Sequence, residues 1–301
     1  MTFISLLIKE MRLRMRRERT IWLIVIYILL LGLLGWLDIS VNSSNANNSN
    51  SWGNIGISLY ILLMIVQLFL ILFITPAFTS TAINGEKERQ TFDLLLCSNL
   101  SAASLVIGKL LAGLINALLL IAASIPIFSL VFFFGGVSPL QALQALFIFV
   151  ITAILAASLG IFCSTLIARP AISTALSYVM ILLWLGLPLL LLVLMPLRPT
   201  TSPTGVTTQP AIPAYLTWHP VLALLSTINA LGSLNGGINI PGLFQLALWQ
   251  SYCIFSVIAT LIFIALSVWL VKPHAWDRLK ERTQKKHTLP KKQETKATAT
   301  A

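Results

Sequence analysis

Few residues in this 301-residue chain are equipped for chemistry. The cysteines Cys97, Cys163 and Cys253 lie far apart in or near apolar runs, without metal-ligand spacing, which reads as buried free thiols. His219 is the one histidine before the C-terminal tail, and a lone His before Pro220 reads as a turn or interface residue. Neither HExxH nor GxSxG occurs, nor paired carboxylates at helical spacing, so an intramembrane enzyme is disfavoured and no catalytic residue is assigned. Ile107-Gly108-Lys109-Leu110 holds a Gly-Lys pair without the upstream Gly and following hydroxyl that cradle phosphates. No cofactor or metal site is therefore expected. What remains is charge pairing, concentrated in Asn84 to Lys109, NGEKERQTFDLLLCSNLSAASLVIGK. Glu86, Lys87, Glu88, Arg89, Asp93 and Lys109 form a mixed-charge island in a chain otherwise nearly charge-free between Ile21 and Val271. Such a loop suits docking of a soluble partner, with Phe92, Leu94 and Leu95 as apolar anchor.

The elements that must carry this island are membrane spans. The chain is 57% hydrophobic and 10% charged, against about a quarter charged in soluble domains. Mean hydropathy of +0.90, with runs near the ~20 residues a span needs, gives an all-α polytopic membrane protein. Barrel strands alternate with period two over short segments, which this sequence does not. The net charge of +11 does not point to nucleic acid, because the basic residues sit at the two ends beside spans, where anionic lipid explains them.

In chain order, residues 1–19 read as an amphipathic interfacial helix, with Ile4, Ile8, Met11 and Met15 opposite Lys9, Arg12, Arg16 and Arg19. Six spans follow: Ile21 to Leu37, Ile55 to Thr79, Leu110 to Phe134, Ala142 to Ile167, Ile172 to Met195 and Leu246 to Val271. Asp38 to Asn54 reads as a flexible Asn/Ser-rich loop. Ser101 is the expected N-cap of the third helix, with Lys109 snorkelling back to the headgroups, and Pro126 an expected kink. None of the six spans so drawn contains an ionisable residue, which argues against proton-coupled antiport. In the fourth span Ala153, Ala156, Ala157 and Gly160 allow close helix approach. Gln67 and Asn116 suit hydrogen bonds between helices. Residues 197–245 form an extracytoplasmic segment in which Tyr215 to Leu234 is too polar for a comfortable span and reads as re-entrant or interfacial. Residues 272–301 are a basic tail after a 1–271 membrane domain. This layout puts nineteen of the twenty Lys and Arg on one side, with only Arg198 opposite. Both termini are thus expected in the cytosol, the chain spanning the plasma (inner) membrane.

This order of parts resembles the permease subunit of type-2 ATP-binding cassette (ABC) transporters. The resemblance rests on Gly85-Glu86-Lys87-Glu88-Arg89-Gln90-Thr91-Phe92-Asp93-Leu94-Leu95-Leu96 after the second span, followed by Gly108-Lys109-Leu110. Gln90 stands where Gly is usual, Phe92 where Leu is, and Asn99-Leu100-Ser101 replaces Pro-Leu-Ser. The resemblance implies that the basic start is an elbow helix. It makes Gly85 to Ser98 a coupling helix seated in a separate cytosolic ABC ATPase subunit, with Gly85, Glu86, Lys87, Glu88, Arg89, Thr91, Phe92, Asp93, Leu94 and Leu95 as docking residues. It also implies a second permease chain, identical or paralogous, and the permease reads as that of an exporter. The reading from another class is a non-transporting membrane scaffold or assembly factor that recruits cytosolic partners.

Overall fold

The computed structural model describes residues 18–43, 51–88, 102–194, 200–201, 207–208, 214–228, 239–240, 244–245 and 247–271. The amphipathic start at 1–17 and the tail at 272–301 lie outside the described residues. Six helices are long and apolar enough to cross a membrane. They are α1 (Glu18–Ser43), α2 (Ser51–Thr79), α4 (Ala102–Phe134), α5 (Pro139–Leu166), α6 (Pro170–Leu194) and α8 (Leu248–Val271). Two shorter helices, α3 (Asn84–Glu88) and α7 (Pro220–Thr227), stand between them. In hydrocarbon a backbone must satisfy its own hydrogen bonds, and long apolar runs do so as helices. A 3-10 turn at Ala214–Leu216 and two antiparallel pairings of two residues each, Thr200–Thr201 with Thr207–Thr208 and Asn239–Ile240 with Phe244–Gln245, complete the described elements.

The helices outrun the spans drawn from hydropathy. At 24 to 33 residues they reach roughly 36–50 Å, beyond the ~30 Å hydrocarbon layer. The Asn/Ser-rich stretch is the clearest difference. Helix α1 continues to Ser43 and α2 begins at Ser51. Asp38 secures this end: its Oδ1 accepts from Asn42 Nδ2 at 3.0 Å and from Ser58 Oγ at 3.1 Å. Helix α4 runs through Pro126. The α4–α5 connection is a tight turn, with Gly135 and Gly136 at φ 80° and 86°. Ser138 then opens α5 with a capping box, its amide donating to Gln141 Oε1 at 2.8 Å and its Oγ accepting from the Gln141 amide at 3.3 Å.

Helix α5 is the centre of the bundle and packs against α2, α4, α6, α7 and α8. Its small residues Ala145, Ala153, Ala156, Ala157 and Gly160 are buried, so the small-residue face serves close packing within the chain. Helices α2, α4 and α5 are clamped at both ends. At one end Gly56 backs onto Gly135, where any Cβ would collide with the Gly135 carbonyl. At the other, Thr79 is wedged between Gly113 and Gly160. Polar pairs bind further helices to this block. Tyr27 of α1 donates to Gln67 of α2, and Thr152 of α5 pairs with Tyr252 of α8 at 2.7 Å. Helix α6 is less embedded, with only Ser173, Ser177, Ile181 and Pro188 buried.

Candidate functional site

The described part of the charged island, Asn84 to Glu88, sits at the end of the bundle where α2 stops. Thr79 sets the position. Its side chain fills the space between Gly113 on α4 and Gly160 on α5, and a Cβ at either glycine would collide with it. Its Oγ1 is satisfied locally by the Thr75 carbonyl at 3.0 Å. The chain then leaves α2 in a tight turn, 80–83, rather than a solvated loop. Ala82 and Ile83 are buried, Ile83 completely.

Polar groups from three helices hold this turn. Ser164 of α5 accepts through one Oγ from the Ile83 amide at 2.9 Å and the Asn84 amide at 3.1 Å. Those donors lie where α3 begins and lack helical partners, so Ser164 caps α3 from another helix. Asn84 Nδ2 reaches the Ile167 carbonyl at 3.4 Å, and Lys87 Nζ the Thr165 carbonyl at 3.5 Å. From α6, Ser173 Oγ donates to the Ser80 carbonyl at 2.8 Å, and Thr174 Oγ1 pairs with Ser80 Oγ at 3.0 Å. From α4, Lys109 forms an ion pair with Glu86.

That ion pair corrects the expectation for Lys109. The lysine does not snorkel. It is 6% exposed, lies inside α4 and points its ammonium at Glu86. The physical reason is a carboxylate within reach on the adjoining turn, which gives the buried ammonium an ion-pair partner. Lys109 belongs to the part of α4 that precedes the span drawn from Leu110, so the spans as drawn stay free of Asp, Glu, Lys, Arg and His.

The predicted docking residues consequently divide. Gly85, Glu86 and Lys87 are half-buried, and Glu86 and Lys87 face inward to α4 and α5. Glu88 is exposed. Arg89, Thr91, Phe92, Asp93, Leu94 and Leu95 lie outside the described residues, as does Ser101. Sequence reading missed Thr79, Ser164 and Ser173, because a lone hydroxyl in an apolar run looks the same whether it caps a neighbour or bonds its own helix. Among the described residues no group of three His, Cys, Asp or Glu gathers to hold a metal.

Residues 80–88 are thus bonded to three long helices, α4, α5 and α6. No curated protein matches the chain in sequence. The family model described as ABC-2 family transporter protein matches residues 4–273. That match takes in the six long helices and the 80–88 turn together, and the chain belongs to the ABC-2 transporter family as a multi-pass membrane permease component.

Proposed function

We propose that this chain takes up motion from a cytosolic ABC ATPase subunit through residues 84–109 and distributes it to α4, α5 and α6. The family implies an ATP-binding partner. The observation that carries the reading is the knot at 79–88: Ser164, Lys109 and Ser173 each bring a different helix to the same turn. In this reading Glu88, Arg89, Thr91, Phe92, Asp93, Leu94 and Leu95 meet the ATPase, with Gly85 in the turn between. Glu86 and Lys87 transmit rather than touch. Both termini and the 84–109 segment face the cytosol at the plasma (inner) membrane, in keeping with the placement of Lys and Arg. A second permease chain, same or paralogous, completes the unit. ATP-driven closure rocks the helices between inward- and outward-facing states and exports the cargo.

The division between inner and outer residues dictates the experiment. Mild-detergent pull-down of the tagged full chain is compared with Glu88→Lys plus Asp93→Lys, leaving Glu86 intact. The expected result is an ATPase recovered with wild type and reduced about tenfold or more with the variant. If no ATPase accompanies even the wild type, the scaffold reading replaces this one.

A further inference from the structure

Helix α6 carries a weak turn in its C-terminal half. Gly186 and Pro188 stand two residues apart, and an added Cβ at Gly186 would meet nothing within 4 Å. A proline gives no amide to the carbonyl four residues before it, that of Trp184, and its ring presses on that carbonyl. Glycine in the same turn adds backbone freedom. In a membrane such an opened turn is tolerated where a neighbouring group meets the loosened carbonyls. The turn also walls a groove. Helix α6 brings Leu182, Leu185 and Leu189, α2 brings Phe69 and Phe73, and the space between is about 450 Å³.

His219 supplies the neighbouring group. Its Nε2 lies 3.2 Å from the Leu185 carbonyl, and since a carbonyl only accepts, Nε2 donates. The residue is 2% exposed and is held from behind. Its amide donates to the Leu216 carbonyl at 3.1 Å, and its carbonyl accepts from the Ala223 amide at 3.1 Å. Next to it, Trp218 stacks on Phe255 of α8 with ring centroids 4.7 Å apart. On its other side Pro220, Ala223, Leu224 and Thr227 bury α7 in the bundle. Nearer its N-terminus, α6 is held by Ser173, Thr174 and Tyr178, the last donating to the Phe73 carbonyl at 2.8 Å. Beyond Tyr178 it is His219 that bonds to α6.

We propose that His219 is a latch on a proline hinge. Its bond to Leu185 holds the 185–188 turn of α6 against α7, and release of that bond lets residues 189–194 swing about Gly186 and Pro188. The bond brings an outside donor to the turn that proline weakens. It ties the end of α6 to α7 and, through Trp218, to α8. Leu189, Leu190, Val193 and Leu194 are exposed, so little packing opposes the swing once the latch is open. The device goes beyond the permease reading and rests on it only in taking the swing as part of transport.

The test is hydrogen–deuterium exchange of the full chain in lipid nanodiscs, read by mass spectrometry over residues 186–194, with 172–180 as control. His219→Phe should speed exchange about fivefold at 186–194, the worth of one hydrogen bond, and leave 172–180 unchanged. Pro188→Ala returns an amide to the helix ladder and should slow exchange at 186–194. In that background His219→Phe should change the rate by less than about twofold, because the latch has no hinge to hold. An equal effect of His219→Phe in both backgrounds shows that the ring merely packs against α6 and overturns the proposal. Unchanged exchange with His219→Phe alone overturns it without the proline variant. Equal acceleration at both segments, a general loosening, overturns it as well. Exchange needs no ATPase, so its failure leaves the pull-down result standing, and the converse holds.

Discussion

The docking turn and the α2–α6 groove stand on the same two helices and are built on opposite principles. At the turn, hydroxyls, amides and an ion pair from α4, α5 and α6 converge on a few residues and fix their position. In the groove, apolar side chains of α2 and α6 face one another, with Tyr178 and His219 beside them. Directional polar bonds fix the turn, and mainly apolar contact shapes the groove. Polar contacts in a low-dielectric setting are strong and directional, so a few of them make a joint. Dispersion contacts are weak and interchangeable, so a surface built from them tolerates varied occupants.

The sharpest way to break this contrast is at the ion pair. Lys109→Met removes the ion pair that joins α4 to Glu86. A loss of about 3 kcal/mol is expected, at the lower end for a broken buried pair because the Glu86 side chain keeps 22% exposure. The loss should appear as a lowered Tm of the purified chain, and Glu86→Leu with Lys109→Met should recover most of it. If the single and double variants melt alike, the pair does not hold the turn. Next comes the steric half of the joint. Gly160→Val drives a side chain into Thr79 and should cost about 2 kcal/mol, with Thr79→Ala in the same chain restoring part of it. Additive effects of the two substitutions would show that they do not meet.

The smallest effect belongs to the groove. Burial lowers the pKa of His219 below its ordinary 6.5, with the Leu185 hydrogen bond partly opposing. The unfolded chain therefore takes up the proton first as pH falls. His219 leaves stability unchanged above 6.5 and reduces it progressively below, down to the folded-state pKa. The Tm difference between wild type and His219→Phe should shift with pH in that window and stay constant above it. A difference independent of pH would mean that the ring is not held neutral.

Much of this architecture was legible in the sequence. Apolar runs near 20 residues announce spans whatever surrounds them, and the mixed-charge island stands out by contrast. Helix ends were harder. Asn and Ser around residues 38–54 signal a loop locally, yet Asp38 finds Asn42 and Ser58 and the helices extend. Gly160 was visible as a small residue permitting close approach, but that its neighbour is Thr79 depends on how α2 and α5 cross. Lys109 was misread because snorkelling and internal pairing share one sequence signature, a lysine one turn from a charged loop. The groove had no signature. Phe69, Leu182 and His219 are brought together only by packing, and only the hydrogen bond to Leu185 shows that His219 reaches α6.

The light seating of α6 has one more consequence. Its bonds to the turn, through Ser173 and Thr174, lie in its first turns, while Leu189 sits sixteen residues on, about 24 Å along the axis. Tyr178 and Leu185 tie the middle of α6 to Phe73 and His219, so the end at Leu189, one turn past Leu185, is the part with freedom to shift and change the width of the groove. A gauge with a swinging jaw measures thickness poorly, and one methylene more or less is weakly discriminated even by a rigid pocket. A molecule lying between α2 and α6 would then be sorted only weakly by its length.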